Sequence, residues 1–291
     1  MKILVIGMCG NSLFYQKETG ILLKEEPGGK GYNQAVAIAK LGGKVSFIGA
    51  IGKDESGNSC KEYLDKIGVN NLLIEKEETT TYATINVDQD GNNFIDVFNG
   101  AKMSFDDLDY IKDEIIKHDI ILLQNEIDVL LNKNIIEFAF SNNKYIIVNP
   151  APVATWVYDY LDKIDLVTPN EEEARYLFNL ENIDVYCFGT KLLGKYKNKI
   201  LVTLGDKGCL FVNKENYQYF DSLKVNAVDT TGAGDMMNAA LAYCISKNIS
   251  IDKAIILGTY ACSYSVQRKF VLESYPQMEE LTKYIKKIKK H

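Results

Sequence analysis

Residues 228–238 read VDTTGAGDMMN, a carboxylate, two hydroxyls and two glycines set just ahead of an apolar run. The first turn of a helix carries unpaired N–H groups and a partial positive charge, so it favours an anion. Gly232 and Gly234 let the backbone approach a phosphate closely. Asp235 follows at once. A carboxylate there could accept a proton from a hydroxyl attacking a phosphoryl group. The same residues also suit an ordinary helix start, capped by Thr or Asp and preceded by glycine. The rest of the chain decides between the two.

Three further stretches carry the same ambiguity. GGKGYN (28–33) offers backbone N–H groups and the Asn33 amide to phosphate or sugar hydroxyls, or is simply a Gly-rich entry to a helix. In TPNEEEA (168–174), Asn170 and Glu173 have the spacing of a capping box, and Glu173 could also help hold Mg²⁺. TLGDKG (203–208) joins two apolar strands as a hairpin turn or a nucleotide-binding turn. GTKLLGK (189–195) matches the first seven positions of a P-loop, but Tyr196 stands where Ser or Thr must bind Mg²⁺. It is not one. GxGxxG is not met after Gly29 either, which disfavours a dehydrogenase.

The totals exclude other chemistries. The 291 residues allow one large α/β domain. A net charge of -6, with no dense basic run before the terminal KKIKK, leaves no footprint for nucleic acid. No uninterrupted apolar run is long enough to span a membrane, and the first apolar stretch reads as a strand rather than a signal segment. The six cysteines are scattered without a CxxC pair, which predicts free thiols in a cytoplasmic protein, Cys244 and Cys262 lying in helix core. Of the two histidines, His118 reads as a surface residue and His291 ends the chain. Acid–base work falls to carboxylates.

The elements that must position these residues alternate. Strands are predicted at 2–6, 45–51, 119–123, 145–149, 164–168, 200–204 and 208–212. Helices are predicted after GGKG, at 56–67, and at 235–246, 252–266 and 277–289. Strands separated by helices imply a parallel sheet covered on both faces, with ligands outside the carboxyl ends of the strands. Two hairpins interrupt the pattern, one at 12–26 turning near Gly20, one at 80–98 turning at residues 88–91. They imply a small β layer standing off the main sheet.

The order of the motifs resembles the ribokinase-like (PfkB) carbohydrate kinases. GGKGYNQAVAIAKLGGKVSFIGAIGKDESG (28–57), NPAP (149–152), TPNEEEA, TLGDKG and DTTGAGD (229–235) follow one another nearly end to end. The resemblance implies one domain over 1–291: a central, mostly parallel α/β sheet flanked by helices, with a β lid from insertions near 12–27 and 79–99. It implies transfer of the γ-phosphoryl of ATP to a hydroxymethyl group. By position, Asp235 is implied as general base, and Gly232, Ala233 and Gly234 as the anion hole. Asn170 and Glu173 would govern Mg²⁺ and phosphate, Glu173 directly or through water. Thr203, Gly205, Gly208 and Thr259 would line the nucleotide. Gly28, Gly29, Lys30, Asn33 and Glu126 would line the sugar. Asp229 and Thr231 resemble ligands of a monovalent cation, usually K⁺.

Three departures bear on the acceptor. Gly10 and Ser12 stand where the family has an Asn and an Asp gripping sugar hydroxyls, which leaves Asn11 as a partial substitute. The segment from Gly10 to Gly28 is short, so the first lid hairpin is truncated. Phe270 replaces a glycine usual in the K⁺-binding loop. The expected function is an ATP- and Mg²⁺-dependent sugar kinase of ribokinase or fructokinase type. The alternatives are a nucleoside kinase or a non-catalytic ligand-binding module on the same fold. A homodimer through the lid is also expected.

Overall fold

The computed structural model describes residues 1–87 and 93–289; the turn expected at 88–91 and the terminal His291 lie outside them. Strand β1 (Ile3–Ile6) leads to a hairpin, β2 (Gly10–Gln16) and β3 (Ile21–Gly28), then α1 (Lys30–Lys40), β4 (Val45–Ile48), β5 (Ala50–Gly52) and α2 (Glu55–Ile67). Short strands β6 (Asn70–Asn71) and β7 (Ile74–Lys76) precede β8 (Thr81–Val87) and β9 (Asn93–Phe98). Next come α3 (Leu108–Ile116), β10 (Ile120–Gln124), α4 (Val129–Ser141), β11 (Tyr145–Asn149), β12 (Leu166–Val167) and α5 (Glu171–Phe178). The chain continues through α6 (Phe188–Leu192), β13 (Lys199–Thr203), β14 (Cys209–Val212) and β15 (Tyr217–Phe220), and closes with α7 (Ala233–Ser246), α8 (Ile251–Ser265) and α9 (Met278–Ile288).

Nine strands form the central sheet in the order β15-β14-β13-β12-β11-β10-β1-β4-β6. It is parallel from β6 to β13, and β14 and β15 close its far edge antiparallel. Strand alternation divides the core in two. Ile3, Val5, Ile120 and Leu122 face one layer, with α1, α7 and α8. Leu4, Ile6, Ile121 and Leu123 face the other, with α3, α4 and α5. Burial on both faces is why these strands read as unbroken apolar runs.

A second sheet, ordered β3-β2-β8-β9, joins the two predicted hairpins through a parallel β2–β8 pair. Several of its apolar side chains are exposed, among them Ile21, Leu22, Leu23, Tyr82, Val97 and Phe98.

Some expectations need correction. The strand predicted at 45–51 breaks at Gly49 into β4 and β5, which join different sheets. The one at 164–168 shrinks to two residues. His118 is buried rather than on the surface: its ring nitrogens meet the Glu114 carbonyl at 2.6 Å and Ser46 Oγ at 2.7 Å, tying the end of α3 to β4. GTKLLGK falls on α6 and the turn after it, so it has no strand-to-helix phosphate loop.

Candidate active site

Helix α7 begins at Ala233, capped by Gly232 at φ 76°, a left-handed conformation that favours glycine. Its body, rich in Ala and Met, is buried all round. Its first turn is different. Gly234 is exposed, and a side chain there would meet nothing within 4 Å, so the helix N-terminus opens onto free space. One residue on, Asp235 is only 6% exposed. Asn33 Nδ2 donates to its Oδ2 at 3.1 Å and Gln34 Nε2 to its Oδ1 at 2.9 Å. Burial raises the Asp235 carboxyl above its ordinary range, opposed by the Lys30 charge and by these two donors. The result is a buried, oriented carboxylate at the edge of an open helix N-terminus.

Helix α1 supplies the facing wall. Its N-terminal Gly29 has φ 106°, and the Lys30 backbone N–H donates to Glu126 Oε2 at 2.7 Å. Burial works against the charge of Lys30, but the carboxylates of Asp235, Glu126 and Glu173 outweigh it and hold the amine above its usual range. Burial pushes Glu126 up to about 7, with the Lys30 charge and N–H pulling the other way. One ammonium thus sits in the field of three carboxylates drawn from α5, α7 and the loop after β10.

The capping box at the start of α5 is present. Asn170 Oδ1 accepts from the Glu173 N–H and Glu173 Oε2 from the Asn170 N–H, each at 2.8 Å. Burial raises the Glu173 carboxyl, against the Asn170 N–H and the Lys30 charge. Asn170 also bridges to Thr203, which brings the α5 cap beside the 203–208 turn. Gly205 there faces open space. Thr259 bonds back to the Ile255 carbonyl of α8, one turn before Cys262, whose thiol meets the Ala233 carbonyl at 3.2 Å.

Asp229 has both oxygens engaged. Oδ1 accepts from the Thr231 N–H at 2.9 Å and Oδ2 from the Phe270 N–H at 3.1 Å. Tyr275 Oη donates to the Gly232 carbonyl at 3.1 Å, so the segment after α8 brackets the turn before α7 at both ends. The first hairpin grips that segment in turn. Phe14 meets Phe270 edge-on at 5.4 Å, and buried Glu26 accepts from the Val271 N–H at 2.9 Å.

The predicted residues on α1, α5 and α7 therefore converge with Glu126, while Asn11 does not join them. Its Nδ2 donates to Glu25 and approaches Ser56 Oγ at 3.4 Å, toward α2. Ser12, on the opposite face of β2, lies against Gly28. A side chain at Gly10 would strike the Thr81 carbonyl, so that position admits no larger residue. Gln34, Gln124, Asn149 and Tyr275 escaped sequence reasoning. Gln34 and Asn149 lie inside quoted motifs, but an uncharged amide gives no signal of its own.

The chain has counterparts. The model of the pfkB family of carbohydrate kinases matches residues 3–278. A ribokinase of Lactococcus lactis is 35% identical over 269 residues, 90% of this chain and 86% of the relative. A deoxyribokinase of Salmonella typhi is 32% identical over 267 residues, 89% of this chain and 87% of its own. The structure of a ribokinase from Thermotoga maritima superimposes with a TM-score of 0.85 at 32% identity, covering 98% of this chain and 99% of the other. These relatives are sugar kinases, and they favour neither the nucleoside-kinase nor the non-catalytic alternative. The chain belongs to the pfkB family of carbohydrate kinases and is an ATP-dependent sugar phosphotransferase.

Proposed function

We propose that the protein transfers the γ-phosphoryl of ATP to the hydroxymethyl group of a small furanose-type sugar, with Asp235 as general base. The observation that carries this reading is Asp235 itself: buried, fixed by Asn33 and Gln34, and one residue from the open N-terminus of α7. The carboxylate takes the proton of the attacking hydroxyl. The N–H groups at Gly232 and Gly234, with that of Ala233, which here donates to the Thr230 carbonyl at 3.2 Å, receive the charge of the moving phosphoryl. Lys30 balances the carboxylates around it and faces the same charge. Phosphoryl transfer needs positioning and charge stabilisation more than covalent chemistry, and this set supplies both.

Asn170, Thr203, Gly205, Gly208 and Thr259 are proposed to line the nucleotide. The Asn170–Thr203 bridge and the open space at Gly205 suit that role. Gly28, Gly29, Lys30, Asn33 and Glu126 are proposed for the sugar, and the buried, unpartnered Asn33 Oδ1 is an acceptor ready for a hydroxyl. When bound with ATP, Mg²⁺ would neutralise phosphate charge. Glu173 fits it through water, since its Oε2 is engaged with the Asn170 N–H and Oε1 remains. Asp229 and Thr231 are proposed for a monovalent cation: each Asp229 oxygen accepts one N–H and keeps a lone pair, while Phe270 stands in the adjoining segment.

The free state of all six cysteines suits a cytoplasmic location. Among the described residues no helix is long and apolar enough to cross a membrane. The exposed apolar side chains of the second sheet, with the Tyr82–Phe98 stack at 4.7 Å, support a lid that pairs with a second copy. ADP release measured with ribose, 2-deoxyribose, fructose, adenosine and pseudouridine tests the reading. Turnover with a free sugar and none with nucleosides is expected; turnover confined to nucleosides would overturn it.

A further inference from the structure

Asn149, the first residue of the NPAP stretch, ends β11 inside the molecule. Its Nδ2 donates to the Thr168 carbonyl at 3.3 Å. A backbone carbonyl only accepts, so this bond fixes which way the Asn149 amide points and turns Oδ1 toward α1. Oδ1 then requires a donor, and Gln34 Nε2 supplies it at 3.1 Å. The second hydrogen of that nitrogen is the one given to Asp235 Oδ1. Gln34 Oε1 is held from the other side by Gln124 Nε2 at 2.6 Å. Gln34 is fully buried, Gln124 is 1% exposed and Asn149 is 7% exposed, so water does not compete for these bonds.

We propose that Asn149 and Gln34 are positioning residues for phosphoryl transfer: a directional amide relay from the Thr168 backbone that aims a fixed donor at the general base. The relay does two things. It holds the Asp235 carboxylate in one orientation toward the acceptor hydroxyl. It also favours the ionised, proton-accepting form, because the Gln34 donor cannot be withdrawn or reversed without breaking its bonds to Asn149 and Gln124. The inference rests on the reading of Asp235 as general base. It gives the NPAP asparagine a task, although that residue does not touch Asp235.

The sign of the effect follows. Removing a donor from a carboxylate disfavours its charged form and raises its pKa. A base works only when ionised, so the acid limb of the rate profile must move to higher pH. Lys30 from α1, Glu126 after β10 and Tyr275 after α8 also face Asp235 electrostatically, and Asn33 remains hydrogen-bonded to it. These groups stay unchanged in every arm of the test.

The experiment is single-turnover phosphoryl transfer with saturating ATP and sugar, followed across pH. The proteins are wild type, Gln34→Met, Gln34→Glu, Asn149→Leu and Asp235→Asn. Gln34→Met keeps the side-chain length and removes the donor. Its transfer rate is expected to fall roughly 10- to 100-fold, with the acid limb about one pH unit higher. Gln34→Glu, an acceptor in place of a donor, moves the limb further in the same direction. Asn149→Leu, which reaches Asp235 through Gln34 and also frees the Thr168 carbonyl, moves it by less. A purely structural role would lower stability and leave the limb in place. The proposal is overturned if the limbs of Gln34→Met and Asn149→Leu coincide with wild type while Asp235→Asn is inactive. Full transfer by Asp235→Asn would instead overturn the general-base reading beneath it.

Discussion

The α7 end of the site and the lid end differ in how their polar atoms are held. At the α7 end, each Asp235 oxygen has a donor, and Gln34 is itself held by Gln124 and Asn149 from two strands of the central sheet. At the lid end, Ser12 offers one hydroxyl over Gly28, Asn11 turns toward Glu25 and Ser56, and the sheet exposes Tyr82 and Phe98. The comparison teaches where each decision is made. On the proposed roles, the groups that move the phosphoryl sit on buried elements, where substitution is costly, while Ser12 and the hairpin beside Gly28 belong to a sheet with an exposed apolar face, where substitution costs the fold less.

The contrast can be broken by substitution at either end. Asp235→Asn is expected to lower kcat on the order of 10²- to 10⁴-fold, with ATP binding by calorimetry retained. Lys30→Met removes the cation among three carboxylates, and a loss of roughly 10²-fold is expected in kcat. At the lid end, Ser12→Asp should leave kcat near wild type and change selectivity instead. A carboxylate beside Gly28 can accept from two adjacent hydroxyls, so kcat/KM for ribose over 2-deoxyribose should rise about 10-fold. Equal losses of kcat from Ser12→Asp and Lys30→Met would erase the division between the ends.

A smaller effect comes from pH. Burial raises Glu126 to about 7, so its carboxylate ionises as pH rises through that value. An ionised carboxylate grips sugar hydroxyls more strongly. KM for the sugar should therefore fall as pH rises through about 7, and Glu126→Gln should flatten the profile. The same raised pKa has the opposite sense for stability. Below its unfolded pKa the group is protonated in both states and is neutral in effect. Between that value and about 7 the folded protein binds the extra proton, so the contribution to stability falls as pH rises. The smallest effect is expected from exchanging K⁺ for Na⁺. Phe270, packed edge-on against Phe14, stands in the segment where a glycine is usual, so turnover should change little.

Much of this was legible from residues 28–57, 168–174, 203–208 and 229–235, because glycines, carboxylates and capping pairs leave local signatures. The alternation of apolar runs gave the parallel sheet for the same reason: burial on both faces makes such strands uniformly apolar. Other features had no local signature. β6 and β7 are two and three residues long, too short for any period to register. The Gln34 bonds join residues 90, 115 and 201 positions apart through neutral amides. His118 looked exposed because its neighbours are polar, yet its ring fills the gap between α3 and β4. Asn11 has the right type at nearly the right place, but strand alternation turns it toward Glu25 and Ser56, opposite Ser12.

Phosphorus NMR of wild type and Asp235→Asn, each given ATP, Mg²⁺ and the best sugar of the panel, tests the central claim directly. The account predicts a new phosphomonoester signal coupled to the two protons of a hydroxymethyl carbon, strong for wild type and nearly absent for Asp235→Asn. An ester formed equally by both proteins, or ADP and inorganic phosphate without any sugar ester, would contradict it.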